Sequence, residues 1–204
     1  MQPTCFSFLD RKLAGLLRDI HSFGVDHDSR IKVHAEQMLN ITPDTGSFLS
    51  LIIQAVGAKR VLEIGTSDGY STLWIADALR SNKGKVVTVE ASKRKAIMAR
   101  RNFEKSGLLG NIDSRLEDVR VFLRGQVDQS FDLIFLDAER PQYVSYWREI
   151  DRVLKSGGLL IVDNALSPRP DELVDFFKLI ASSRRYVSQV LPLGNGEMLA
   201  FKQR

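Results

Sequence analysis

Val61-Leu62-Glu63-Ile64-Gly65-Thr66-Ser67-Asp68-Gly69-Tyr70-Ser71-Thr72 decides the fold. The first four residues have the character of a buried strand. The chain then turns tightly from Gly65 to Gly69, and Tyr70 opens a helix whose apolar face continues through Leu73, Trp74, Ala76 and Leu79. A strand feeding a glycine turn and then a helix N-terminus is a ligand cradle. Glycines let a ligand approach the backbone, and the free N–H groups of the first helical turn attract an anionic or polar group. The pattern predicts binding of a nucleoside-bearing cofactor. Its spacing, Glu-x-Gly-x-x-x-Gly, is not the Gly-x-Gly-x-x-Gly of dinucleotide binders, and Thr66-Ser67-Asp68 supplies no phosphate-loop lysine.

Outward from this stretch, strands and helices alternate. A β-branched run at 86–90 follows the turn residues Asn82 and Gly84, and 92–105 has helical spacing. A weak strand is expected around Ile112, a strong one at 131–137, a helix at 143–154, and a fifth strand at 159–163 after Gly157-Gly158. This order predicts a parallel, doubly wound α/β sheet. The last part differs: after a helix at 171–180, runs at 186–191 and 197–201 flank Gly194-Asn195-Gly196 as a hairpin and add an antiparallel strand. Upstream, apolar spacing predicts a helix over 8–23 stopped by Gly24, a second capped by Asp28 or Ser29 and running to about Leu39, and a third over 48–56 ended by Gly57. Residues 1–57 are thus expected as a helical appendage on a single α/β core of 58–204, covering its ligand edge or making a dimer contact.

In an open parallel sheet, ligands sit beyond the carboxyl ends of the strands. Four acids fall at or near those ends: Glu63, Glu90, Asp137 and Asp163. Glu90 is placed to accept hydrogen bonds from ribose hydroxyls, though an acid there also serves as an ordinary helix cap. Glu63 can orient the turn or meet an ammonium group, and Ser71 can hold a carboxylate at the helix start. Asp137, Asp163 and Asn164 form a second set. Two carboxylates and an amide oxygen from adjacent strand ends are hard donors suited to Mg²⁺ or Ca²⁺.

Composition excludes several classes. At 204 residues, with 44% hydrophobic and 26% charged side chains, the chain has ordinary globular usage and one domain's length. No apolar run approaches the ~20 residues of a membrane helix, and Met1 to Asp10 lacks the pattern of a secretory leader. The single Cys5 allows no intramolecular disulfide, so a reducing cytoplasm is the natural compartment. The net charge of +4 reflects runs such as Lys93-Arg94-Lys95 and Arg100-Arg101 without aromatic interleaving, which reads as solvated helix faces. Trp74 and Trp147 sit at helical spacing and are expected in the core. His21, His27 and His34 have no evident carboxylate partner and are assigned no catalysis.

The glycine stretch resembles motif I of the S-adenosylmethionine-dependent methyltransferases. The wider set of 38–46, 61–72, 88–90, 135–138, 157–164 and 191–196, in order and spacing, is similar to the catechol and caffeoyl-CoA O-methyltransferase-like family. The likeness covers roughly 35–204. It implies a Rossmann-like, seven-stranded sheet, S-adenosylmethionine as methyl donor, and a divalent metal (Mg²⁺, with Ca²⁺ or Mn²⁺ as alternatives) on Asp137, Asp163 and Asn164. It also implies a cofactor site of Asn40, Ile41, Glu63, Gly65, Thr66, Ser67, Gly69, Ser71, Glu90, Ala91, Asp137, Leu116 and Glu117, and a homodimer.

The mechanism so implied is metal-assisted methylation of a small vicinal-dihydroxy aromatic. A phenol's pKa of about 10 leaves little nucleophilic phenolate at neutral pH, and coordination to a divalent cation favours the anion. Two departures stand out. Relatives carry a lysine, commonly assigned as general base, three residues after the first metal aspartate. Here Asp137-Ala138-Glu139-Arg140 puts an arginine there, which cannot take a proton but can stabilise a phenolate, leaving deprotonation to the metal with water or Glu139. The segment 165–170 after Asn164 is also shorter than in relatives, which predicts an open acceptor pocket. Two alternatives follow: methylation of hydroxylated uridine in tRNA, and cofactor binding without turnover.

Overall fold

The computed structural model describes residues 5–204; the first four residues of the Met1–Asp10 stretch lie outside it. Seven strands form one sheet: β1 (Arg60–Ile64), β2 (Lys85–Glu90), β3 (Ile112–Leu116), β4 (Phe131–Leu136), β5 (Leu154–Val162), β6 (Tyr186–Leu191) and β7 (Glu197–Lys202), in the order β3-β2-β1-β4-β5-β7-β6. The first five are parallel, and β7 runs antiparallel to both of its neighbours, β5 and β6. The alternating α/β reading and the C-terminal hairpin therefore hold, with β6 taking the outer edge.

Helices α1 (Arg11–Arg30), α2 (Pro43–Ala55), α3 (Tyr70–Arg80) and α4 (Lys93–Ser106) lie on one face. Helices α5 (Val119–Arg124), α6 (Tyr143–Val153) and α7 (Val174–Ser182) lie on the other. Side chains alternate across a strand, so Val61, Leu133 and Phe135 join the first core while Leu62, Ile134 and Leu136 join the second. Burial on both faces is what continuous apolar strands of a parallel sheet require. Trp74 lies wholly inside, its ring packed against Gly46, and is core as read, while Trp147 is partly buried and packs edge-on against Phe176 at the margin of the second core.

The N-terminal region departs from the sequence reading. Asp10 caps α1 by accepting from the N–H groups of Lys12 and Leu13, and the helix runs straight through Gly24. Gly24 is buried because Asn40 packs on it; a Cβ there would stand 2.5 Å from Asn40 Nδ2. This contact offsets the ~1 kcal/mol that glycine costs inside a helix. Asp28 caps no second helix. Its carboxylate accepts from the backbone N–H groups of Met38 (2.7 Å) and Leu39 (2.8 Å), so residues 31–41 cross the sheet edge as a strap with one 3₁₀ turn, His34–Glu36. The third helix starts early because Thr42 caps it and Pro43 opens it. Helix α5, which the sequence reading did not anticipate, is capped by Asp118, and β5 begins at Leu154 with no loop after α6. No helix among the described residues is long and apolar enough to cross a membrane.

Candidate active site

A cavity of about 670 Å³ opens beyond the carboxyl ends of the parallel strands, under the 31–41 strap. Of the residues proposed from sequence, Asn40, Ile41, Gly65, Thr66, Ser67, Ser71, Glu90, Ala91, Asp137, Arg140, Asp163 and Asn164 line it. Glu63 and Gly69 do not; they lie behind the turn and shape it. Leu116 and Glu117 are also absent from the wall. Leu116, the last residue of β3, is half exposed, and the next two positions, Asp118 and Val119, reach the cavity instead.

The glycine turn is held by contacts that leave its inner surface bare. Gly65 has φ 103°, and a Cβ there would be 2.0 Å from the carbonyl oxygen of Asp137, so the two strand ends touch through backbone. Glu90 accepts from Ser67 N (2.9 Å) and Ser92 N (2.7 Å), tying the turn to the next strand end and capping α4's approach at once. Glu63 is fully buried and accepts from Thr72 and from Thr88 (2.6 Å). Burial raises its carboxyl to about 7. The strap is pinned to the turn: Ser67 Oγ donates to Met38 O (2.7 Å) and Asn40 Nδ2 to Asp68 (3.3 Å). Asp68, buried too, is raised by that burial to about 6.

Beside the turn, Asp137 and Asp163 follow the ends of the neighbouring strands β4 and β5. Asn164, in the left-handed region at φ 62°, turns its amide between them, Nδ2 lying 3.4 Å from Asp137 Oδ1 and 2.8 Å from Asp163 Oδ2. Its Oδ1 accepts from Asn195 Nδ2 (3.2 Å). Burial first, then the charge of Asp163 and that of Glu63, pushes Asp137 well above the ordinary carboxylate range, and burial raises Asp163. Two such carboxylates are stabilised by added positive charge, which here comes from the amide N–H and from Arg140. The donor set of two carboxylates and one amide fits a hard divalent cation, provided the amide turns its oxygen inward. Among the described residues, no group of three His, Cys, Asp or Glu side chains is arranged to hold a metal.

Three features escaped the sequence reading. Glu197 is wholly buried at the start of β7 and accepts from Thr45 Oγ1 (2.8 Å); burial, then the charge of Asp163, pushes it up to about 10. An acid opening an otherwise apolar strand was its only signal. Tyr143 Oη accepts from Ala138 N (2.6 Å) and donates to Ala138 O (3.0 Å), clamping the turn after Asp137, yet in sequence it looks like any core aromatic. Two of the three histidines do have carboxylate partners: His27 lies 3.0 Å from Asp28 and His34 lies 3.8 Å from Glu139, while His21 and His34 line the cavity.

Arg140 also differs from expectation. It is buried, with Nε 3.1 Å from Glu172 and Nη1 donating to the carbonyls of Pro168 and Asn164, so the side chain is fixed by the protein on several sides.

Comparisons with known proteins agree with this geometry. A family model described as O-methyltransferase matches residues 26–203. A catechol O-methyltransferase of Niastella koreensis is 35% identical over 131 residues, 63% of this chain and 59% of that protein. A catechol O-methyltransferase of Mycobacterium tuberculosis is 32% identical over 168 residues, 80% of this chain and 72% of that one. The crystal structure of an O-methyltransferase from Bacillus cereus in complex with SAH superposes with a TM-score of 0.78 at 29% identity, over 93% of this chain and 91% of that one. The chain belongs to the O-methyltransferase family.

Proposed function

We propose that this enzyme moves the methyl group of S-adenosylmethionine to a hydroxyl of a small vicinal-dihydroxy aromatic, with a divalent cation, Mg²⁺ in the first instance, at Asp137, Asp163 and Asn164. One observation carries the reading: the glycine turn with Glu90 and the Asp137–Asp163–Asn164 cluster line the same cavity, at adjoining strand ends. The relatives named as catechol O-methyltransferases and the solved relative holding SAH support it.

When bound, the donor supplies an electrophilic methyl carbon and the cation supplies the charge that favours a phenolate. The chain's own residues do the rest. Glu90 accepts from ribose hydroxyls, and Ser71 with the start of α3 holds the amino-acid carboxylate. Asp118 and Val119 take the base-side wall. The strap bearing Met38, Asn40 and Ile41 covers the donor and excludes water. Asp137, Asp163 and Asn164 would hold the cation and so fix where the diol edge sits; such positioning contributes a large share of rate.

The test is mass spectrometry of a catechol panel incubated with isotope-labelled donor, with Mg²⁺ and with chelator. Labelled monomethyl ether formed with Mg²⁺ and lost with chelator is the expected result. No transfer to any diol overturns it, and no transfer to tRNA either, with donor still bound, leaves binding without turnover. A second reading is tRNA modification, for which the observation is the exposed basic face of α4, including Lys93, Arg94, Arg100, Arg101 and Lys105, with Lys95 reaching the cavity. Steep loss of substrate affinity with salt favours that reading over a neutral diol.

A further inference from the structure

We infer that Arg140 is a positioning residue: with Glu172 it clamps the 165–170 loop against the acceptor end of the cavity, a role distinct from the proton transfer assigned to a lysine at this place. The part concerning the acceptor rests on the methyl-transfer reading above.

A guanidinium stays protonated, so Arg140 cannot be a base. Its surroundings say what it does instead. The Nε atom meets Glu172 at 3.1 Å, and Nη1 donates to the carbonyl of Pro168 and, at 3.4 Å, to that of Asn164. The residue is only 7% exposed, and three of its contacts reach a single excursion of the chain that begins at the proposed cation site. The near end of that loop is already rooted in the β6–β7 turn: Ala165 N donates to Gly196 O (2.8 Å), and Leu166 N (3.0 Å) and Ser167 N (2.9 Å) donate to Asn195 O. Its far end, Pro168 and Arg169, is tied by Arg140 and Glu172. Glu172 also takes Arg169 Nη1 at 2.8 Å, and Arg169 Nη2 donates to His34 Nε2 at 3.0 Å. The series Arg140, Glu172, Arg169, His34 thus runs from the buried end of the cavity to the strap, and all four residues line the cavity.

Lysine cannot replace this arrangement. An ammonium is a compact point charge on a flexible stem, whereas the planar guanidinium presents donors in a fixed fork that serves a carboxylate and carbonyls together. The clamp therefore sets where Pro168 and Arg169 stand, and with them the wall an aromatic acceptor packs against.

The experiment uses Arg140→Lys and Glu172→Gln, singly and together, in the full chain. Acceptor KM is expected to rise about tenfold in each single variant, the loss of one charge-assisted contact. The double variant should be no worse than the more affected single, because both break one unit. Donor affinity and the shape of the kcat–pH profile should not move. Amide hydrogen exchange across 165–170 should accelerate in both singles while Ser67 to Tyr70 stays protected. That readout needs no acceptor: accelerated exchange without any diol turnover supports the clamp and counts against the acceptor assignment alone. The proposal is overturned if Arg140→Lys preserves acceptor KM or introduces a new ionisation in kcat, or if exchange in 165–170 keeps its wild-type rate. Glu172→Gln, at a partly exposed site, keeps the question open to measurement should Arg140→Lys fold poorly.

Discussion

At the donor end of the cavity most of the working residues come from two runs, Gly65 to Ser71 and Glu90 to Ser92, with the strap at Met38 to Ile41 laid over them and Asp118 and Val119 beside them. At the acceptor end they come from five separate segments: the strap at His34, the turn at 137–142, the stretch 163–172, the β6–β7 turn at Asn195, and Glu197 in β7. The donor end is held largely through main-chain groups, such as the positive φ of Gly65 and the N–H groups gathered by Glu90. The acceptor end is held by side chains reaching between distant parts of the chain, such as Thr45 to Glu197 and Arg140 to Glu172. A cradle of the first kind is set mainly by main-chain geometry and is exposed to alteration chiefly through the strap laid over it. One of the second kind is adjustable, because each wall depends on one or two contacts.

The difference can be broken by mutation. Asp163→Ala should lower methyl transfer by a factor on the order of a hundred or more while donor affinity, read by calorimetry, stays within about twofold. A parallel loss of donor binding breaks the proposed independence of the two ends. Glu63→Gln sharpens the account of the donor end. Glu63's folded pKa is raised from 4.5 to about 7, so its contribution to stability is fully present below pH 4.5 and is lost as pH rises through about 7. The stability of the wild type relative to Glu63→Gln should therefore fall by about 3 kcal/mol between those limits, at 1.36 kcal/mol per pKa unit. Urea unfolding at pH 4.5, 5.5 and 7 reads it, and a difference that does not vary with pH breaks it. The smallest effect is expected at Gly24→Ala. Alanine gains up to about 1 kcal/mol of helix stability, while its methyl group meets Asn40 Nδ2 and displaces the strap. Thermal stability should hold or rise while donor affinity drops several-fold. A drop in both, or in neither, shows that the strap does not depend on that close approach.

The same contrast governs what the sequence could reveal. The glycine turn, the strand-end acids and the C-terminal hairpin were legible because each is written in consecutive residues with its own period or turn chemistry. Asp28 read as a helix cap because an acid near a helix start nearly always is one; its actual partners, the N–H groups of Met38 and Leu39, are visible only in space. Gly24 read as a stop because nothing local announces that Asn40 will fill the missing Cβ. Leu116 and Glu117 fall beside the cavity wall by about two residues, which is the scatter expected when a strand end is inferred rather than seen. Glu197 and the burial of Arg140 were beyond reach, since each depends on partners in other elements.

The position of β7 has a consequence for how the molecule comes together. It is the last strand of the chain but lies between β5 and β6, so during synthesis from the N-terminus β6 has no place to dock until residues 197–202 emerge. Until then β5 presents an unpaired edge, a template for association with other nascent chains. The donor cradle, whose residues all precede Ala138, can form while the far side of the sheet is still unfinished.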